Sequence, residues 1–389
     1  MKTVVTGLEK FIASEHAPYR KARLGLLANQ ASIGPKYAHC LDLLDESLPG
    51  AVTALFGPQH GWAGEKQDNM VESAHGRDRR GRPIFSLYGE TRRPTPDMLQ
   101  NLDALLVDLA DVGTRVYTFA HTLSHCLEEA GRAGLEVLIL DRPNPIGGRE
   151  AEGNILADDC RSFVGLHPIP MRHGLTMGEL AGLVNARLEK PAPLRVVTCG
   201  HWRRDQYFTE TGLPWVYPSP NMPSPDCAWV YPGQVLWEGA NISEGRGTTR
   251  PFNLVGAPFI DAEALLTRLK KMDLPGVIFR RAHFQPTFHK WAGEMCRGLE
   301  LFPVDKSFQP YLTSLAVLQI ILELWPEDFK LKEPPYEYEF KRRPLDLILG
   351  RGDLYDRLAA GESAASLENG WQPELAEYLK RRSGFLLYD

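Results

Sequence analysis

Five short apolar runs punctuate the first half of the chain: RLGLLA (23–28), VTALFG (52–57), ALLVDL (104–109), EVLILD (136–141) and LRVVTC (194–199). Their hydrophobicity is continuous rather than alternating, which is the pattern of strands covered on both faces, so they predict a parallel sheet in an α/β fold. Helical patterns lie between them. TPDMLQNL offers Thr95 as a cap and Pro96 at the first helical position, and TFAHTLSHCLEEAGRAG closes at Gly134. TMGELAGLVNARL carries Thr176 and Glu179 at capping-box spacing. From about 200 to 235 the chain is crowded with Pro, Trp and Tyr, too irregular for an element and too apolar for a free linker, so an ordered, packed crossing is expected. Beyond it, apolar periodicity at 261–286, 307–326 and 370–389 predicts a smaller domain mixing helices with a few strands.

Composition narrows the function classes. The 389 residues are 43% hydrophobic and 24% charged, enough for a sizeable core. A formal net charge of -5 provides no basic field for nucleic acid. The opening MKTVVTGLEKFIAS has no apolar secretory core, and no stretch is long and apolar enough to span a membrane, so a cytoplasmic protein without membrane partners is expected. Six cysteines at wide, irregular intervals fit reduced, buried thiols rather than a disulfide scaffold or zinc ribbon.

In an open parallel sheet, ligands bind beyond the carboxyl ends of the strands. Four of the five runs end there in polar clusters: Asn29-Gln30-Ala31-Ser32, Gly57-Pro58-Gln59-His60-Gly61, Asp108 through Thr118, and Asp141-Arg142-Pro143-Asn144. Asp108 and Asp141 have a structural alternative, as caps or as partners of Arg115 and Arg142. Asp111, one step farther into its loop, is the stronger candidate for a working carboxylate. His60 and His173 are candidates for the crevice, with a satisfied core histidine as the alternative reading. A metal site from His60, His173, Asp108 and Asp111 lacks ligand spacing, and no metal is expected. In the second half, WEGANISEGRGTTRPF (237–252) gathers Glu238, Asn241, Ser243, Glu244, Arg246 and Thr248 around three glycines without a nucleotide-loop pattern. It is expected to face the crevice and suits a polyhydroxylated or acylamino ligand.

Eight collinear motifs then stand out: FGPQHGWAGE, PIFSLYGETRRPTPDML, VDLADVGTRVYTF, LDRPNPIGG, GLHPIPMRHGLTMGELA, TGLPWVYPSPNMP, YPGQVLWEGANISEGRGTTRPF and RRPLDLILG. Through them the chain, from about residue 20 onward, resembles the NamZ family of exo-β-N-acetylmuramidases. The resemblance implies a Rossmann-like N-terminal domain (1–229), a smaller α/β C-terminal domain (230–389) and an active-site cleft between them. It implies hydrolysis releasing N-acetylmuramic acid from the non-reducing end of peptidoglycan fragments, without a cofactor, as in cell-wall recycling. Carried over, Gln59, His60, Arg115, Tyr117, Asp141, Arg142, Asn144, His173, Asn221, Glu238, Asn241 and Arg246 would bind substrate, and Asn29 joins them from its strand-end cluster.

The chain departs from the family pattern at Gln59, where the resemblance implies a glutamate, and at Ala110, where it implies glutamine. An amide neither donates nor accepts a proton in this pH range, so Gln59 cannot be the acid/base group. Glycoside hydrolysis commonly uses two carboxyl groups, although an acetamido sugar can supply its own nucleophile. Asp111 is the first choice for acid/base, and Glu65, six residues beyond Gln59 in the same loop, is the candidate to take over the proton-transfer role lost there. The alternatives are a sugar-binding or regulatory protein that kept the cleft without the chemistry, and a hydrolase of another sugar or amide.

Overall fold

The computed structural model describes residues 2–68 and 70–389. All five apolar runs form strands of one seven-stranded sheet, made of β1 (Leu24–Ala28), β2 (Val52–Gly57), β3 (Gly76–Arg77), β4 (Pro83–Ser86), β5 (Ala104–Asp108), β6 (Glu136–Leu140) and β7 (Leu194–Val197). The order is β3-β4-β2-β1-β5-β6-β7, parallel except for the antiparallel pair β3–β4 at one edge. β1 and β5 are buried at every position, which is why their sequences are continuously apolar. The edge strand β3 and its neighbour β4 escape the sequence pattern because both are short and partly solvated. From β1 the chain builds outward through β2, then returns to place β5 on the other side, so the crevice beyond β1 and β5 is the switch point of the sheet.

The helices show local sequence rules at work. The helix Phe119–Ala133 ends on Gly134 at φ 67, the left-handed conformation that glycine adopts without a Cβ penalty. Thr176 and Glu179 close the expected capping box at the start of Met177–Asn185. Thr95 makes no side-chain cap bond, and its helix is only the single turn Pro96–Leu99. The segment expected to be irregular up to 235 contains the helix Pro225–Gln234. Ser224 caps it and Pro225 occupies its first turn, a start signal masked by the surrounding prolines.

A second sheet is antiparallel, with β8 (Leu254–Ala257), β9 (Val277–Phe284) and β10 (Cys296–Pro303) in the order β8-β10-β9. The helix Pro310–Leu324 lies buried along most of its length against Pro225–Gln234. Gly233 permits that approach, since a Cβ there would sit 1.9 Å from the carbonyl oxygen of Pro310. One continuous cluster of buried side chains runs from Leu27 of β1 to Tyr378 in the long helix Ala364–Arg382, so the two sheets share a core. The final residues fold back onto the first sheet, where Tyr388 OH donates to Asp141 Oδ2 at 2.5 Å and Leu387 N donates to Glu179 Oε1 at 2.9 Å. All six cysteines are unbridged and buried. Among the described residues, no helix is long and apolar enough to cross a membrane.

Candidate active site

Beyond β2 the chain turns abruptly, with His60 at φ 72 and Gly61 at φ 86. This turn buries the Gln59 and His60 side chains beneath a small polar cavity that is also lined by Tyr117, Asn221, Glu238, Arg246, Tyr336 and Glu337. The first four of these positions lie on N-terminal elements, and the rest come from beyond residue 235, so the cavity lies where the two halves of the chain meet. Its free volume is about 30 Å³, room for a water or two.

Two carboxyl groups face this space in different surroundings. Glu238 is clamped by Arg246 Nη2 at 2.6 Å and accepts the Tyr336 hydroxyl at 2.8 Å. Arg246 also meets Glu244 at 3.2 Å and Asp68 at 3.5 Å, while Lys290 lies 2.6 Å from Glu244. Burial alone would raise the Glu244 carboxyl, but Lys290 and Arg246 outweigh it and hold the group down at about 2. The loop at 237–252 thus carries its own charge lattice, tied to the first domain through Asp68.

Glu337 has neutral hydrogen-bond partners. Gln59 Nε2 donates to its Oε1 at 3.0 Å, and the Tyr88 hydroxyl donates to its Oε2 at 2.6 Å. Tyr88 in turn accepts from Gln59 Nε2 at 3.1 Å and from Met70 N at 3.0 Å, while Thr118 donates its hydroxyl to Gln59 Oε1. Glu337 is 4% exposed, and burial pushes its carboxyl up to about 7. Tyr336 and Glu339 bond reciprocally at 2.9 Å, a tight turn whose two central residues, Glu337 (φ 46) and Tyr338 (φ 66), are both left-handed. Such turns favour Asn-Gly, and holding side chains of this size there costs roughly 1–2 kcal/mol each. His60 Nδ1 pairs with the Lys66 carbonyl at 2.7 Å, and burial lowers its pKa to about 4, so the ring is neutral with Nε2 left as an acceptor.

Six of the sequence-predicted residues therefore meet in one place: Gln59, His60, Tyr117, Asn221, Glu238 and Arg246. The others do not border this cavity. Glu65 is exposed and its Oε2 accepts from Ala63 N at 3.2 Å within its own loop. Asp111 folds back to accept from Gly113 N at 2.7 Å and, with Arg142, borders a larger, separate cavity of about 280 Å³ walled by Phe208, Leu213 and Trp215. Burial raises the Asp111 carboxyl to about 7, in a cavity away from Gln59. The segment 212–222 forms a wall between the two cavities.

The remaining candidates are committed to internal bonds. Arg115 is fully buried and donates to the carbonyls of Asn154, Ile169, Ile348 and Leu349. Arg142 pairs with Asp108 at the end of β5 and donates to the Ile33 carbonyl in the loop after β1. Asp141 accepts from Thr176 Oγ1 at 2.7 Å and Gly178 N at 2.9 Å at a helix start, besides its bond from Tyr388. Asn29 Nδ2 donates to the Ala110 carbonyl, Asn144 Nδ2 to the Leu175 carbonyl and Asn241 Nδ2 to the Asp328 carbonyl. His173 Nδ1 accepts from Leu175 N within the core. These strand-end polar groups mostly satisfy the backbone that the sheet edge leaves open, a duty their sequence pattern does not separate from ligand binding. Among the described residues, no cluster of His, Cys, Asp or Glu is placed to hold a metal ion.

Sequence reasoning missed Glu337, Tyr88, Thr118 and Tyr336. Tyr88 and Thr118 lie inside quoted motifs and were passed over. Glu337 sits in EPPYEYEFKRRP, and its hydrogen-bond partners Tyr88 and Gln59 lie 249 and 278 residues away in the sequence.

The same two-part arrangement is found in proteins of known sequence and structure. Residues 24–226 match the family described as "Exo-beta-N-acetylmuramidase NamZ, N-terminal", and residues 229–388 match its C-terminal counterpart. The chain belongs to the NamZ family. The peptidoglycan beta-N-acetylmuramidase NamZ of Bacillus subtilis (strain 168) is 41% identical over 386 residues, covering 99% of this chain and 91% of that protein. Two crystal structures of DUF1343 family proteins from Bacteroides fragilis NCTC 9343 share the fold. One superposes with a TM-score of 0.90 at 31% identity, the other with 0.78 at 26%, each over 100% of this chain and 99% of the other. For a NamZ family member, the feature of most chemical interest is that an amide, Gln59, occupies the cavity floor and donates to a carboxyl group from the far end of the chain.

Proposed function

We propose that this chain is a glycoside hydrolase that releases N-acetylmuramic acid, or a closely related amino sugar, from the non-reducing end of peptidoglycan fragments. The observation that carries this reading is the pairing of Glu238 and Glu337 in one cavity, the first clamped by Arg246 and the second bonded only to neutral groups. Burial raises the Glu337 carboxyl to about 7, which suits a group that gives up a proton near neutral pH. The muramidase activity carried in the name of the B. subtilis relative supports the substrate class.

In this reading, His60 and Asn221 supply hydrogen bonds to the sugar, and Glu238 with Arg246 forms a fixed electrostatic wall. A sugar ring does not fit in about 30 Å³, so binding requires the cavity to open. The deciding experiment is incubation of the purified protein with a chromogenic muramic-acid glycoside. Turnover well above background is expected. Tight binding of the sugar with no turnover would instead establish a binding protein, the reading that Gln59 favours.

A further inference from the structure

We propose that Glu337 is the proton donor of the glycosidic cleavage, with Gln59 and Tyr88 as the residues that position it; this rests on the hydrolase reading above. Gln59 cannot carry a proton, yet it stands on the cavity floor with both ends of its amide engaged, accepting from Thr118 and donating to Tyr88 and Glu337. Its direction is therefore fixed, and what it fixes is a carboxyl group. Glu337 Oε1 and Oε2 each accept one hydrogen bond, and each keeps a second lone-pair direction. A proton held there can point at a ligand in the cavity that Glu337 lines. Of the two carboxyl groups in the cavity, Glu238 already accepts from a guanidinium and a tyrosine hydroxyl. Glu337 is buried beside Glu238, and Arg92, a cation that acts on it, is stacked 3.3 Å over the Tyr338 ring. The left-handed backbone at 337 and 338 is a further sign, because such strain persists where the surroundings hold a side chain to a task.

The step balances with water as the only co-reactant. Glu337 gives its proton to the glycosidic oxygen as the bond from that oxygen to C1 breaks, and the bond pair stays with the leaving alcohol. Charge developing at C1 is met by the Glu238 carboxylate field or by the acetamido oxygen of the sugar. Water then bonds to C1 and returns one proton to Glu337, restoring the starting state.

The test compares kcat/KM of the wild type and of Glu337→Gln on two muramic-acid glycosides, one with a nitrophenolate leaving group and one with a second sugar. A nitrophenolate departs without protonation, whereas a sugar alkoxide does not. Loss of about 10²–10⁴-fold on the disaccharide is expected, the range that general acids contribute, with a loss below about tenfold on the nitrophenyl glycoside. Equal losses on both substrates, or no loss on either, would overturn the proposal while leaving the hydrolase reading in place. A wild type that turns over neither substrate overturns both. Tyr88→Phe provides a second readout that does not depend on Glu337→Gln folding. It removes a bond that favours the Glu337 carboxylate, so the alkaline limb of the kcat/KM profile should move to higher pH, and an unmoved limb contradicts the proposal.

Discussion

Replacing Glu337 by Gln should change how stability depends on pH, and the structure fixes both sign and size. The carboxyl has an ordinary value of 4.5 and is raised to about 7 by burial. Between those values the unfolded chain releases its proton while the folded chain keeps it, so stability is greatest below the unfolded value and is lost as pH rises through the folded one. The full loss is about 3 kcal/mol, from a shift of 2.5 units at about 1.36 kcal/mol each. Most of it falls between pH 5 and pH 8, where the single-site linkage gives about 2.5 kcal/mol. Glutamine does not titrate, so the variant lacks this slope, and the bonds it makes or loses to Gln59 and Tyr88 are the same at both pH values. Urea unfolding of both proteins at pH 5 and pH 8 isolates the effect. Relative to the wild type, the variant should gain about 2.5 kcal/mol at pH 8 compared with pH 5. A difference unchanged within about 0.5 kcal/mol between the two pH values would refute the reasoning.

Two further outcomes follow from the same cavity. Arg246→Met leaves Glu238 and Glu244 buried without their shared guanidinium, and a loss of about 3–5 kcal/mol in urea unfolding is expected, as for breaking other buried ion pairs. Gln59→Glu sets a second carboxyl group about 3.0 Å from Glu337, where repulsion of roughly 5 kcal/mol at an effective dielectric of 20 keeps one proton on the pair. Infrared spectra of that variant should retain a protonated carboxyl band at pH 8, where the wild-type band has largely bleached.

The large sheet was legible because its signal is local. Five apolar runs are enough to indicate the parallel strands, of which β1 and β5 are buried at every position, whereas β7, at the sheet edge, is buried only at Val197. The loop at Gln59 and His60 was legible for a related reason, since a strand end followed by Gly, Pro and His marks a turn at a sheet edge. Arg115 and Asp141 show the limit of that logic. Polar groups at strand ends look alike whether they wait for a ligand or bind open carbonyls and helix starts, and both of these bind the protein itself. Glu337 was hidden for the opposite reason, because nothing near it in sequence announces burial. Its environment is made by Tyr88 and Gln59 from the other half of the chain.

The return of the chain end to the first sheet sets an order of events during synthesis. Asp141 emerges early and is fully buried in the folded protein, but one of the three groups its carboxyl accepts from among the described residues, Tyr388, is made 247 residues later. Glu179, which closes a helix start beside it, likewise takes a bond from Leu387. A nascent chain that has completed every strand of the large sheet still has these acids short of partners, at about 1–3 kcal/mol for each buried group left unsatisfied. The first half of this protein is therefore sealed from behind, and a truncation that removes only the last few residues acts on the sheet made first.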